Sequence, residues 1–305
     1  MITAFSSPVN TPPWERNEDT QFLEVTKGCS HNSCRFCTFF KDVPFGVRTD
    51  EEIEFVLDYY KLVDRYTPVK RLFLQGADAL VLSYDRLMEI SEMCHEALPS
   101  LETIGGYGRM SDLCDKTVEQ LESMHDAGFE NFHFGVETAD GNLLKFINKG
   151  YGEDLLWEQG QKIHESGMPW TAGYMLGLGG HGYPDTHPIK SAEFFSATVP
   201  SRIGVVSTTL VYDNYTKMEP PLLDNVRKGK FIEAGEKERY RELRTLIEHI
   251  DCETNIYAIH STMPYYVFGD LPEDRDKMLK SIDHILEISD EDRMAMFRKY
   301  EVAEV

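Results

Sequence analysis

Six times in its first 211 residues, the chain passes through a short apolar, β-branched stretch and then one with helical spacing. This alternation constrains the fold more than any other feature. The strand-like stretches are 22–26, 71–74, 101–105, 129–136, 170–176 and 202–211. Between them, Ile53, Val56, Leu57 and Tyr60 recur at helical spacing behind Asp50, read as the cap, and Leu87, Ile90 and Met93 mark one face of a helix over 84–97. Further helices are expected over 116–126, 141–148, 154–166 and 189–197. Strand followed by helix, repeated, gives parallel strands joined by right-handed crossovers, with helices outside. Six units are two short of a complete barrel. The expected fold class is α/β, a partial (β/α)6 TIM-like barrel.

Past residue 213 the alternation stops. Helices are expected over 236–250, 273–288 and 290–300, with one strand at 255–258. The expected organisation is an N-terminal arm over 1–21, extended by Pro8, Pro12 and Pro13, a barrel core over 22–213, and an α-rich C-terminal extension over 214–305 packing on it. No apolar run is long enough to cross a bilayer, and residues 1–17 lack the basic-then-apolar pattern of a secretory signal. A cytoplasmic protein with no membrane partner is expected. Net charge is −21, from 52 acidic against 31 basic residues, which disfavours a nucleic-acid partner. The basic residues between 227 and 244 alternate with Glu and read as a solvated helix face. Cys94, Cys114 and Cys252 stand far apart, and each is expected as a reduced, small, buried side chain.

The chemistry-bearing segments fall where strands end, the face on which parallel α/β sheets bind ligands. Cys29-Ser30-His31-Asn32-Ser33-Cys34-Arg35-Phe36-Cys37 follows the first strand, Gly76-Ala77-Asp78 the second, Gly135-Val136-Glu137 the fourth, and Gly177-Leu178-Gly179-Gly180-His181 the fifth. The last lacks both the Walker lysine and dinucleotide-binding spacing. Three cysteines at C-x4-C-x2-C supply three thiolates and leave one coordination position open. With His31 as a fourth donor they suit structural zinc; alone they suit an iron–sulfur cluster, in an electron carrier or in an enzyme.

The cysteine loop, with Phe36 before its last cysteine, resembles the cluster loop of radical S-adenosylmethionine (SAM) enzymes, lengthened by one residue from their commonest C-x3-C-x2-C. Gln75-Gly76-Ala77-Asp78 stands where those enzymes carry a Gly-Gly-Glu-like turn. Gly135-Val136-Glu137-Thr138, followed by Leu144, Asn148, Lys149 and Gly150, resembles the branch that includes oxygen-independent coproporphyrinogen oxidase and the Elongator type. The likeness spans about 22–211. His260-Ser261 and Gly269-Asp270-Leu271-Pro272 resemble the tail of uncharacterised radical SAM proteins of anaerobes.

The resemblance implies that Cys29, Cys34 and Cys37 hold a [4Fe-4S] cluster whose fourth iron takes the amino and carboxylate groups of SAM. Gly76, Ala77 and Asp78 would then receive the methionine ammonium, Glu137 the ribose hydroxyls, and Lys149 the methionine carboxylate. Phe36, Met175 and the segment at Thr208 and Thr209 would flank the cofactors. One electron, from a flavodoxin- or ferredoxin-type donor, would cleave SAM to methionine and a 5′-deoxyadenosyl radical, which abstracts hydrogen from a small-molecule substrate. An oxygen-sensitive centre is expected. Residues expected to touch substrate are Arg109, Tyr174, His181 and His260, with Tyr107, His133, Tyr212 and Asp213 nearby; Arg109 suits an anionic group. Arg35 would tune the cluster or face solvent. With no second cysteine group and no space ahead of the barrel for a cobalamin domain, reactions that need either are not expected.

Overall fold

A computed structural model describes residues 4–5, 11–210, 218–288 and 290–296. In chain order, strand β1 (Thr20–Glu24) leads through β2 (Thr26–Lys27) and β3 (Gly46–Val47) to helix α1 (Asp50–Asp64). There follow β4 (Arg71–Gln75), α2 (Tyr84–Ala97), β5 (Thr103–Gly108), α3 (Val118–Asp126), β6 (Phe132–Glu137), α4 (Gly141–Phe146) and α5 (Glu153–Glu165). Then come β7 (Trp170–Leu176), α6 (Thr186–Thr198), β8 (Arg202–Ser207), α7 (Leu222–Arg227), α8 (Glu236–His249), β9 (Thr254–Ala258), β10 (Val267–Leu271), α9 (Arg275–Ile288) and α10 (Glu291–Met296).

The strand order is β1-β4-β5-β6-β7-β8-β9-β10. The six strands expected from the alternation therefore follow one another in sequence order, and β1–β4, β4–β5, β5–β6 and β7–β8 are parallel pairs. This order is that of an α/β fold of the partial TIM-like barrel type. The extension carries the strand expected at 255–258, as β9, and one strand more. Its β9 continues the sheet parallel to β8, and β10 returns antiparallel to β9. The sixth strand ends at Ser207, and residues 211–217 lie outside the described residues, as does the predicted helix beyond Met296.

The chain packs as two compact units, one of Met1–Asn32, Phe39–Gly135 and Lys162–Trp170, the other of Ser33–Thr38, Val136–Gln161 and Thr171–Val305. In the first, α1 buries Ile53, Val56, Leu57 and Tyr60, the face its periodicity predicts. Its cap is Thr49 rather than Asp50: Thr49 and Glu52 form a capping box. In α2 the core position falls to Cys94, while Met93 is half-buried. The register sets Glu24 of β1 beside Gln75 of β4, so the segments that follow both strands leave at one level.

The N-terminal segment is built into this unit. Trp14, in a 3-10 turn at Pro13–Glu15, stacks on His133 of β6 with rings parallel to 1° and centroids 5.5 Å apart. Tyr107 continues the stack at 5.6 Å from His133 and Phe73 at 5.0 Å from Tyr107. Glu15, buried, receives two bonds from the Arg71 guanidinium, at 2.6 and 2.9 Å.

In the second unit, Arg239 of α8 is buried and ties two strand ends together. Its Nη1 donates to the Leu176 and Thr208 carbonyls and to Ser207 Oγ, at 3.1, 3.0 and 3.2 Å. Arg227, Lys228 and Arg244 of the basic stretch are paired with Glu219, Asp224 and both Glu248 and Asp283. All six cysteines are free thiols. Cys94 is buried as expected, whereas Cys252 is half-buried and Cys114 exposed, outside the apolar interior expected for them. No described helix is long and apolar enough to cross a membrane.

Candidate functional site

The cysteine loop is fastened from below by the turn after β4. Gly76 has φ +106, and a Cβ there would lie 2.1 Å from Thr26 Oγ1, so only glycine fits against β2. The Ala77 N–H donates to the Gly28 carbonyl at 3.0 Å. Asp78 is fully buried and accepts the Ser30 N–H at 3.0 Å and the Ser30 hydroxyl. Its carboxylate is thus committed to the residue after Cys29. Burial raises its pKa against the Ser30 bonds and the Arg109 charge. Cys29 is raised as well, by burial and then by Asp78, while N–H groups of Asn32 and His31 oppose the shift.

Asn32 gives the lengthened loop a local structure. It is left-handed at φ 42, a conformation Asn tolerates better than other non-glycine residues. Its N–H donates to Cys29 Sγ at 3.3 Å and its side-chain amide to the Phe40 carbonyl at 2.6 Å. Lys41 Nζ donates to its carbonyl at 2.7 Å.

In the other unit, the loop segment over 33–38 rests on the end of α4. The Arg35 N–H donates to the Ile147 carbonyl at 2.9 Å, Asn148 Nδ2 to the Ser33 carbonyl at 3.0 Å, and the Leu222 N–H to the Arg35 carbonyl at 2.8 Å. The exposed Arg35 guanidinium lies 5.9 Å from the Phe146 ring centre. Phe146 packs with Leu210, Leu222 and Phe231 in a small apolar cluster beneath.

Glu137 closes β6 with φ 65, a strained conformation for a residue with a Cβ and one that clusters at functional sites. Its carboxylate accepts from Lys149 Nζ at 2.9 Å. Burial opposes charge on Lys149, but Glu137 outweighs it, with Tyr151 and Cys34 adding, and the ammonium pKa is raised. Neither residue plays the ordinary helix-end part open to it. Asp140, not Glu137, caps α4 by accepting the Asn142 N–H, and Lys149 is buried instead of solvated. The structure therefore brings Glu137 and Lys149 together.

The remaining candidates divide. Arg109 is half-buried, its charge acting on Cys29, Asp78 and Asp112. Phe36 and Met175 are half-buried. Tyr174 is a correction: it is fully buried, its hydroxyl donates to Glu242 at 3.1 Å, and its ring stacks on His187 at 4.8 Å. It alternates with Met175 along β7 and so faces helices α6 and α8. His181 is exposed and paired with Glu238 at 2.9 Å, on the rim of a 430 Å³ cleft that Lys237, Arg241 and Glu291 also line. His260 is half-buried against Thr262 at 2.9 Å. Tyr107 and His133 belong to the aromatic stack on Trp14. Thr208 is buried and bonds its N–H and hydroxyl to the Leu176 carbonyl, and Thr209 bonds the Ser207 carbonyl. Tyr212 and Asp213 lie outside the described residues. The Gly177 N–H donates to both oxygens of Glu242, at 3.3 and 3.1 Å.

Free, partly exposed thiols such as Cys29, Cys34 and Cys37 are the donor type an iron–sulfur cluster takes.

Comparison with known proteins agrees with this chemistry. The Radical SAM superfamily profile matches residues 23–195. The chain is 23% identical over 140 residues to the protein named heme chaperone HemW from Lactococcus lactis subsp. lactis (strain IL1403), covering 46% of this chain and 36% of that relative. The match thus spans little more than a third of the relative's length. The fold resembles Elp3 of the archaeon Methanocaldococcus infernus, with a TM-score of 0.52 at 13% identity, over 78% of this chain and 61% of that one. It also resembles coproporphyrinogen III oxidase (HemN) from Escherichia coli, with 0.51 at 12% identity over 74% and 51%. The profile covers more than half of the sequence, and this chain belongs to the radical SAM superfamily, with a [4Fe-4S] cluster and S-adenosylmethionine as its cofactors.

Proposed function

We propose that the chain is a radical SAM enzyme acting on a small molecule, with Cys29, Cys34 and Cys37 as the cluster ligands. The observation that carries this reading is the buried Lys149–Glu137 pair at a strained strand end. Lys149 takes the methionine carboxylate and Glu137 the ribose hydroxyls. A lysine here supplies charge without a guanidinium's bidentate fork. Because the Asp78 carboxylate is held by Ser30, backbone at Gly76 and Ala77 takes the methionine ammonium, and Asp78 fixes the start of the cysteine loop. Phe36 and Met175 flank the adenosine. Bound together and reduced by one electron, the cofactors supply a 5′-deoxyadenosyl radical that abstracts hydrogen from substrate. Arg109 holds an anionic part of that substrate, and a flavodoxin- or ferredoxin-type protein supplies the electron.

The test is anaerobic. Protein reconstituted with iron and sulfide, then given dithionite and SAM, is expected to form 5′-deoxyadenosine. Failure of the cluster-replete protein to bind SAM would sink the reading. Cys34→Ala is expected to abolish the cluster absorbance and its EPR signal together. The name heme chaperone on a relative supports a second reading, haem holding without turnover. Added hemin giving a shifted Soret band, with no 5′-deoxyadenosine formed, would favour it.

A further inference from the structure

A buried network behind Glu137 has no part in the reading so far, and it lies wholly within the second unit. The backbone N–H of Asp140 donates to Thr138 Oγ1 at 2.9 Å. Thr138 Oγ1 lies 2.9 Å from His187 Nδ1. The other ring nitrogen, Nε2, lies 3.2 Å from the Met175 carbonyl and 3.1 Å from Glu242 Oε1. Glu242 in turn accepts from the Tyr174 hydroxyl and the Gly177 N–H. One residue on, the Ala139 N–H donates to Ser191 Oγ at 3.0 Å, and Ser191 donates to the His187 carbonyl at 2.7 Å.

The donors and acceptors settle one end of this chain. A carbonyl and a carboxylate flank Nε2, and neither donates, so Nε2 carries a hydrogen. At the other end Nδ1 bonds the Thr138 hydroxyl, which also accepts from Asp140. Thr138 and His187 are buried, where an unpaired polar group is costly, so each bond holds the next in place. The two ends of the network are the backbone immediately after Glu137 and the backbone at Met175.

We propose that His187 is a positioning residue for SAM: it locks the 138–140 turn to the end of β7 and so holds Glu137 in its left-handed conformation and Met175 at a fixed place. The inference rests on the reading of Glu137 as the ribose contact. His187 itself meets neither cofactor nor substrate. A side chain with a hydrogen-bonding atom at each end is needed, which excludes a purely apolar filler, while Gln offers two such atoms at similar reach.

The experiment measures SAM affinity by equilibrium dialysis of anaerobically reconstituted protein, alongside iron content and melting temperature. His187→Ala is expected to keep full iron content and weaken SAM binding about tenfold or more, and His187→Gln to restore it to within about threefold of the native protein. Thr138→Val removes the hydroxyl bonded to Nδ1. It is expected to weaken binding similarly, and the Thr138→Val/His187→Ala pair to be no worse than the weaker single variant, since both cut one chain of bonds. If His187→Ala does not fold, Thr138→Val and its affinity decide. Unchanged affinity in folded His187→Ala or Thr138→Val, or losses that multiply in the double variant, would overturn the proposal. Glu137→Ala separates the two readings. If it weakens SAM binding while His187→Ala does not, the positioning role alone fails. If the native protein binds no SAM, or Glu137→Ala binds it normally, the ribose assignment fails and the positioning proposal with it.

Discussion

Asp112 shows how one side chain ties stability to pH. It is buried beside Asp78, and burial, reinforced by the Asp78 charge, raises its pKa to about 7 against the Arg109 N–H and nearby cations. Unfolded, the same carboxyl titrates near its ordinary 3.8. Between those values the folded chain binds the extra proton, so this residue's contribution to stability falls as pH rises from about 4 to about 7. Asp112→Asn is expected to flatten that part of the slope, giving a melting temperature that gains on the native protein as pH rises toward 8. Equal slopes for the two proteins would contradict it. Gly76 carries a second expectation. Gly76→Ala must displace Thr26 and adopt φ +106, at a cost of roughly 2 kcal/mol or more, read as a lower urea midpoint. At this scale the sequence singled out residues whose type stands out, such as the three cysteines of one loop, and Glu137 and Lys149, which the structure pairs. It was silent where the role depends on a distant partner. Nothing near Tyr174 announces Glu242, 68 residues on, and nothing near Asp78 announces Ser30, 48 residues before it.

Elements were legible wherever periodicity ran long enough to exceed noise. The buried face of α1 and the extent of α2 follow from apolar spacing alone. The cap of α1 was in the sequence too, as Thr49-x-x-Glu52, but Asp50 competes with it as an N-cap residue type. The short strands β2 and β3 and the edge strand β10 were not legible. Two residues carry no period, and β10 alternates buried with exposed over only five. Arg239 falls in the same class, because a buried arginine in a charged helix looks like its solvated neighbours. Its guanidinium supplies three strand-end acceptors at once. Arg239→Met, which keeps the stem but removes every donor, is expected to destabilise by about 3 kcal/mol or more in urea unfolding. A loss below about 1 kcal/mol would mean that water satisfies those acceptors.

For the whole molecule, the parallel order of the sheet was readable from alternation because successive βα units have little choice of neighbour. In the extension the strand at 255–258 was readable, but its place in the sheet and the return of β10 were not, since they depend on tertiary opportunity rather than on pattern. Charge acts at this scale. At −21 the chain is expected to show no salt-sensitive binding of a labelled RNA in fluorescence anisotropy, and a shift that vanishes between low and physiological salt would reveal a hidden basic face. The N-terminal segment has a consequence for the order of synthesis. Glu15 leaves the ribosome 56 residues before Arg71, and Trp14 leaves well over a hundred before His133, so neither has its partner while the first strand is being made. Contacts of such sequence separation close late. That segment is then among the last to dock, and until it does the emerging chain shows chaperones an indole and an aromatic stack without its end.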